Sequence, residues 1–108
     1  MYSFPLAADE IIIKKCHASY TCDSEVLNGA LYLTNHRLVF IGYLLSINSK
    51  YMDEVPLAHI KTLAAEKTFY IIPNVLKVVT MQDKAIKYIV KGRNQWLTAI
   101  NRQIETAK

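Results

Sequence analysis

The stretch Gly29-Ala-Leu-Tyr-Leu-Thr-Asn-His-Arg-Leu-Val-Phe40 contains two apolar runs separated by Asn35-His36. Residues of these two types tolerate the left-handed backbone conformation that tight turns use, so the stretch predicts a β-hairpin with strands at residues 29–34 and 37–43. Side chains alternate between the two faces of a strand. The alternation therefore predicts four core residues in the hairpin: Leu31, Leu33, Leu38 and Phe40.

Short β-rich runs continue on both sides of the hairpin. Further strands are predicted at residues 11–20, 51–57, 68–72, 75–81 and 85–91, with turns at Pro73-Asn74 and at residues 82–84. Two interior positions are expected on the late strands, Val78 and Tyr88. The sequence thus predicts seven strands, in a sheet that needs closure at its ends.

The pattern changes after Gly92 from strand to helix. Asn94 is a favourable N-cap residue, and apolar side chains recur behind it at helical spacing up to about Thr106. The apolar stripe comprises Trp96, Leu97, Ile100 and Ile104. We expect this C-terminal helix to cover one end of the curled sheet.

Length and composition suit one small domain over residues 1–108. The chain has 108 residues, 52% of them hydrophobic, and its longest apolar stretch, residues 38–45, is far shorter than a membrane-spanning helix. The first residues carry no early positive charge, unlike a secretion signal. We therefore expect a cytoplasmic protein in which Cys16 and Cys22 are reduced thiols.

The net charge of +4 is unevenly distributed. Residues 1–60 hold four basic and six acidic residues, a net charge of −2, whereas residues 61–108 hold nine basic and three acidic residues, a net charge of +6. Five of the basic side chains come from the late strands and the start of the helix: Lys77, Lys84, Lys87, Lys91 and Arg93. They indicate a salt-sensitive surface for a polyanion, or else an ordinary solvated face.

An anionic phospholipid surface fits these lysines better than nucleic acid does. No RNA-recognition motif, helix-turn-helix or zinc-finger spacing accompanies them. The region between residues 43 and 51 is also apolar for a turn, which suggests contact with a membrane interface or a protein partner. Its candidate contact residues are Tyr43, Leu44, Leu45, Ile47, Lys50 and Tyr51. Alternatively, the third strand continues through Leu45, or the patch packs against another copy of the chain.

The sequence predicts neither an enzyme nor a metal or cofactor site. His17, His36 and His59 are scattered without ligand spacing, and three glycines cannot form a phosphate-binding loop. The acidic pairs Asp9-Glu10 and Asp53-Glu54 are adjacent in sequence, so their side chains point to opposite faces of a strand.

The hairpin sequence resembles that of GRAM domains, in which a glycine precedes the pattern L-Y-L-T-N-x-R-L-x-F. Val55-Pro56-Leu57 followed by Ile60 is similar to the family's I-P-L-x-x-I segment, and Trp96 with Ile100 is similar to its terminal tryptophan helix. The resemblance spans about residues 10–104. It implies a pleckstrin-homology-like barrel of two nearly orthogonal antiparallel sheets, with seven strands and a C-terminal helical cap.

The resemblance also implies a non-catalytic module that binds membranes, phosphoinositides or proteins. One departure is the predicted first loop, residues 19–28, which holds Asp23 and Glu25 but no Lys or Arg, and this argues against a tight site for one phosphoinositide. The expected function is peripheral association with an anionic membrane surface or a protein partner. The alternative is a self-associating homo-oligomeric module that binds no lipid.

Overall fold

Seven strands, a short 3-10 helix and one α-helix make up the part of the chain that the computed structural model describes, residues 4–22, 25–44, 49–68 and 72–107. The elements follow in the order β1 (Ile12–Cys22), β2 (Glu25–Thr34), β3 (Arg37–Leu44), β4 (Ser49–Pro56), the 3-10 helix (Leu57–His59), β5 (Ile60–Thr68), β6 (Ile72–Thr80), β7 (Ala85–Val90) and α1 (Arg93–Ala107).

The strands form one antiparallel sheet in the order β4-β3-β2-β1-β7-β6-β5. β1 pairs with β2 from Ile12 to Cys22, and on its other side it pairs with β7 from Ala18 to Thr21. The predicted seven strands and helix are confirmed, but the predicted division into two orthogonal sheets is not. Because β1 is hydrogen-bonded on both sides, it joins the two halves into a single curled sheet.

The inner face of this sheet encloses the main core. All six core residues predicted from alternation are buried with at most 1% of their surface exposed: Leu31, Leu33, Leu38, Phe40, Val78 and Tyr88. Trp96 and Ile100 of α1 are buried in the same cluster, and Leu97 and Ile104 pack against it. Because strands from both ends of the sheet share this cluster, the sheet must curl around it, and α1 covers the core as predicted.

β5 and the connection to β6 differ from the sequence-based prediction. β5 covers residues 60–68, and Pro73 and Asn74 lie inside β6 instead of forming a turn. β5 includes Ala64-Ala65-Glu66, residues with low strand propensity, and its only strand partner is β6. Pairing with β6 therefore imposes the strand where the local sequence favours none.

Two smaller predictions at element ends were wrong. The predicted loop at residues 19–28 is mostly strand, with Ser19 paired opposite Asn28, so β1 and β2 are longer than their apolar runs suggest. The helix begins at Arg93, which places Asn94 in its first turn and not at the N-cap. Cys22 is consequently the last residue of β1, where it is buried, whereas Cys16 of the same strand is only partly buried.

Gly29 and Gly42 face each other across the β2–β3 ladder. A Cβ atom at Gly29 would lie 2.0 Å from the backbone oxygen of Ile41, and one at Gly42 would lie 2.9 Å from the backbone oxygen of Asn28. Neither contact is possible without moving a strand. The glycine that opens the hairpin motif is therefore required by the close approach of two backbones.

We expect Gly29→Ala to lower the free energy of unfolding by about 1–3 kcal/mol, because the new methyl group meets backbone rather than a flexible side chain. Gly42→Ala should cost less, since its closest contact is longer. Urea denaturation of both variants measures the difference. A neutral effect at Gly29 would contradict the close approach.

The end of the hairpin is bound to the N-terminal segment, residues 4–11, by the polar residues of the motif. The Asn35 side chain accepts a hydrogen bond from the Ile11 backbone N–H (2.9 Å) and donates one to the Asp9 carbonyl (3.0 Å). Thr34 Oγ1 donates to Glu10 Oε2 at 2.6 Å and accepts hydrogen bonds from the next turn. The motif side chains thus fix the chain that leads into β1.

Arg37 completes this connection through an ion pair with Glu10. Arg37 Nε lies 2.8 Å from Glu10 Oε2, and only 1% of the Glu10 side chain is exposed. The hydrogen bond from Arg37 is the main cause that lowers the pKa of Glu10 from 4.5 to about 2, against the opposing effect of burial. Arg37 also pairs with Glu54, donates to the Pro5 carbonyl and lies over the Phe4 ring.

The N-terminal segment also packs on a second apolar cluster, on the outer face of the sheet. This cluster comprises Ala30, Tyr32, Val39 and Ile41, and Phe4 packs against it. The Phe4 and Tyr32 rings meet edge to face with centroids 5.1 Å apart. Apolar residues on the outer face of β2 and β3 are thereby buried, which the prediction of a single core did not include.

Glu10→Gln should destabilise the protein by about 3 kcal/mol at pH 7, because the carboxylate is stabilised in the folded state by its depressed pKa. A depressed carboxyl pKa contributes stability above the unfolded value of about 4.5 and loses it as the pH falls toward about 2. Urea denaturation from neutral to acidic pH should therefore show the two proteins converging within that window. A difference that does not change with pH would show that the ionised carboxylate is not its source.

Candidate anion-binding face

Register places several basic side chains together on the outer face of the sheet. Lys77 of β6 pairs directly with Lys87 of β7, and Lys87 pairs in turn with Thr21 of β1. Ile86 and Tyr88 are buried on the inner side, so Lys87 points outward as its alternation predicts. Lys91 follows the end of β7, is exposed, and continues the same alternation.

β1 adds two outer-face residues that the sequence analysis did not connect with the late strands. Ala18 pairs with Val90, so extending the antiparallel register by one residue sets His17 beside Lys91. Lys15 is the next residue of β1 on that face, and both Lys15 and His17 are exposed. The placement of Lys15 on the same face as Lys91 depends on the pairing between the first and last strands, which local sequence does not reveal.

Register places four cationic side chains on this face, and Arg93 at the start of α1 joins them through its hydrogen bond to the Glu66 backbone. We call these five the outer basic face: Lys15, Lys77, Lys87, Lys91 and Arg93. The face also holds a shallow depression of about 320 Å³ that His17, Ser19, Asn28 and Ile89 help to line. In it, the Ser19 hydroxyl donates to Asn28 Oδ1 at 2.7 Å. The depression offers polar groups beside the lysines but no enclosed cavity.

Glu66 partly neutralises this face. Lys87 Nζ lies 2.9 Å from Glu66 Oε1, and Lys77 Nζ lies 3.6 Å from Glu66 Oε2. The hydrogen bond from Lys87 is the main cause that lowers the pKa of Glu66, aided by the charges of both lysines. Arg93 donates to the Glu66 backbone carbonyl at 2.8 Å. Five cations and this one carboxylate leave a net charge of +4 on the outer basic face of the described chain.

Lys84, predicted as part of the same patch, lies elsewhere. It belongs to the β6–β7 turn, and its Nζ is 3.5 Å from Asp53 Oδ1. Asp53 also accepts a hydrogen bond from the buried Tyr20 hydroxyl at 3.2 Å. Local sequence could not reveal this, because a turn residue does not follow the alternation that orients Lys77 and Lys87.

Tyr51 belongs to the same polar cluster and not to a loop. It lies in β4, is half-buried, and its hydroxyl is 3.3 Å from that of Tyr20. Burial is the largest cause that raises the pKa of Tyr20, and the hydrogen bond with Tyr51 acts in the same direction. The phenol therefore stays protonated at neutral pH, and the cluster is a satisfied part of the interior.

The remaining residues of the predicted membrane or partner loop are only partly described. Tyr43 and Leu44 end β3, and Lys50 is in β4, so the apolar run continues as strand on both sides. Leu45 and Ile47 lie outside the described residues. The alternative that strand three continues beyond Tyr43 is thus supported as far as Leu44.

Neither a spanning helix nor a metal cluster is found in the described ranges. None of their helices has the length and hydropathy needed to cross a bilayer. No group of three or more His, Cys, Asp or Glu side chains in those ranges is placed to hold a metal ion. His36 instead lies 3.5 Å from Asp9, beside the β2–β3 turn.

The fold is similar to that of two solved domains. The C-terminal domain of an unknown protein from Leishmania infantum superimposes with a TM-score of 0.73 at 21% identity, covering 90% of this chain and 86% of that one. The Vps36 N-terminal PH domain gives a TM-score of 0.70 at 13% identity, covering 95% and 85%. At these identities the likeness defines the fold alone, which is pleckstrin-homology-like.

The sequence comparison then defines the family. The family model described as GRAM domain matches residues 1–98, and the chain belongs to this family. "Cyclic GMP-binding protein D" from Dictyostelium discoideum is 32% identical over 93 residues, which cover 84% of this chain but only 6% of that protein. Domains of this family and fold are typically modules that bind lipids or proteins.

Proposed function

We propose that this chain is a non-catalytic module that associates peripherally with anionic phospholipid membranes, from the cytoplasm, through its outer basic face. The observation that carries the proposal is the excess of cations on that face. Among the described residues, Glu66 is the one carboxylate set against Lys15, Lys77, Lys87, Lys91 and Arg93. Lys15 and Lys91 are exposed and make no ion pair with any described residue. They are the side chains best able to meet an external anion.

Electrostatic attraction of this kind supports weak and reversible binding. Each Lys or Arg near an anionic membrane surface contributes about 1 kcal/mol, and salt screens the attraction over about 8 Å at physiological ionic strength. Lys77 and Lys87 contribute less than Lys91, because Glu66 already balances part of their charge. A broad face rather than a deep pocket favours many headgroups over one specific headgroup.

The β3–β4 connection is a second, separate element of this proposal. Leu45 and Ile47 are apolar, and a side chain of this size gains roughly 1.5–3 kcal/mol when it moves from water into an apolar phase. Tyr43, Leu44 and Lys50 flank them on β3 and β4. Tyr51 is left out, since its hydroxyl is engaged with Tyr20 in the interior.

The proposal does not extend to other anionic ligands. Cyclic GMP, which the name of the Dictyostelium relative mentions, is left aside because the match covers only 6% of that protein. Nucleic acid lacks a recognition motif in this sequence. A protein partner or a second copy of the chain remains as an outcome of the test.

We expect the protein to co-sediment with vesicles that contain phosphatidylserine, and not with vesicles of phosphatidylcholine alone. Binding should weaken as salt rises from low to physiological concentration. Lys91→Glu changes the charge of the face by two units and should weaken binding about thirtyfold at low salt. Leu45→Asp tests the contribution of the β3–β4 connection in the same assay.

Arg102→Glu is the matched control, because it makes the same change in total charge on the exposed side of α1. Equal losses in Lys91→Glu and Arg102→Glu would show that only the net charge matters and would overturn the assignment of the face. Absence of binding at either salt concentration would overturn the membrane function. A stable oligomer in light scattering without lipid would then favour self-association.

A further inference from the structure

The start of β1 is the most exposed apolar part of the described chain. Seven large apolar side chains are exposed within the described ranges, and four of them belong to this stretch and the segment before it. Ile11 is 59% exposed, Ile12 41%, Ile13 40% and Leu6 45%. Single exposed apolar residues are ordinary, but neighbours in a group indicate a contact surface.

Hydrogen bonds hold the backbone of this exposed apolar stretch in place. The Ile11 backbone N–H donates to Asn35 Oδ1 at 2.9 Å, and its carbonyl accepts from the Asn35 N–H at 3.2 Å. Leu6 lies between Pro5, whose carbonyl accepts from Arg37, and Ala7, whose N–H donates to Glu10. These bonds present the apolar side chains at a fixed position.

A β-bulge explains why consecutive isoleucines remain exposed here. Ile12 pairs with Thr34 and Lys14 with Leu33, so Ile13 is an extra residue in the ladder. After the bulge, β1 alternates regularly, with Cys16 packed against the core and Lys15 outward. The stretch thus projects from the end of the sheet and does not join either apolar cluster.

The charges beside this stretch favour an anionic partner. Lys14 and Lys15 follow it directly, with Lys14 Nζ 5.6 Å from the centre of the Trp96 ring and Lys15 on the outer basic face. Of the nearby acids, Glu10 is buried against Arg37, whereas the Asp9 side chain is 81% exposed beside His36. The two lysines therefore exceed the exposed acidic charge next to this stretch. Isoleucines followed by lysines match an interface of acyl chains and phosphate groups.

A second copy of the chain fits the same stretch less well. Two copies paired antiparallel through β1 about a twofold axis would bring Lys14 and Lys15 of one copy close to those of the other. Like charges opposite each other destabilise strand pairing, and charged residues are a common means of preventing it. The positive charges therefore favour an anionic membrane over a second copy of the chain as the partner of this stretch.

We infer that Leu6 and Ile11 of the N-terminal segment, together with Ile12 and Ile13 of β1, insert into the interface of an anionic membrane. Lys15 and Lys91 contact the headgroup phosphates at the same time. The inference rests on the proposed membrane function and adds to it an apolar anchor. Ile12 pairs with Thr34, whereas Tyr43 pairs with Asn28, so this anchor and the end of β3 lie toward opposite ends of β2. The two elements are therefore tested separately.

Vesicle co-sedimentation with phosphatidylserine-containing vesicles tests the anchor. The double variant Ile12→Asp/Ile13→Asp should bind at least about tenfold more weakly than the wild type. Met81→Asp/Gln82→Asp is the matched control, because it adds the same two negative charges at exposed positions of the β6–β7 turn, where Met81 is 56% exposed. Its binding should equal that of the wild type. Thermal melting followed by circular dichroism establishes that both variants are folded.

A gain-of-signal variant keeps the test decisive if the double variant unfolds. Ile13→Trp retains an apolar side chain, and the native Trp96 is fully buried and supplies a constant background. The emission of the new tryptophan at position 13 should shift to the blue on binding and be quenched by brominated acyl chains. Unchanged emission in the bound protein would overturn the inference.

The outcomes separate the inference from the function on which it rests. If the wild type binds anionic vesicles and the double variant binds equally, the anchor is refuted and the membrane function stands. If the wild type binds no vesicle at all, both are refuted. Equal losses in Ile12→Asp/Ile13→Asp and in Met81→Asp/Gln82→Asp would also refute the anchor, because added negative charge alone would account for them.

Discussion

The buried ion pair between Glu10 and Arg37 is the interaction on which one whole end of the molecule depends. A carboxylate with 1% of its side chain exposed is tolerated only because a guanidinium and a hydroxyl replace its water shell. Arg37 serves at the same time as partner to Glu54, Pro5 and Phe4. Breaking the pair would release the N-terminal segment, uncover the outer apolar cluster and loosen the entry into β1.

The polar residues of the family motif have a structural role in this dependence. The Thr-Asn-x-Arg residues of the hairpin resemble a polar recognition sequence, yet each of their side chains contacts the chain's own N-terminal segment or its own turn. Gly29 is likewise required by a backbone contact. The most specific sequence feature of the domain is therefore a requirement of its architecture, and the proposed binding site uses other residues.

Local pattern was sufficient to predict the hairpin, its core residues and the C-terminal helix, because alternation and helical spacing act over a few residues. It failed for β5, whose Ala64-Ala65-Glu66 sequence becomes strand only through pairing with β6. For the candidate site, alternation predicted the outward position of Lys87, but the separation of Lys84 and the approach of Lys15 to Lys91 required the tertiary register. Exposure of the isoleucines before Lys14 depended on a bulge that the sequence does not reveal.

The pairing of the first strand with the last has a consequence for how the chain reaches its folded state. β1 meets β7 over residues Ala18 to Thr21 only, and its partners there lie about seventy residues away along the chain. Closing so long a loop costs entropy before the contact stabilises anything, and topologies dominated by such pairings fold slowly. The β2–β3 hairpin can form from local contacts, whereas the β1–β7 pairing that completes the sheet requires β7 to be present. A ribosome must therefore release nearly the entire domain before its sheet can close.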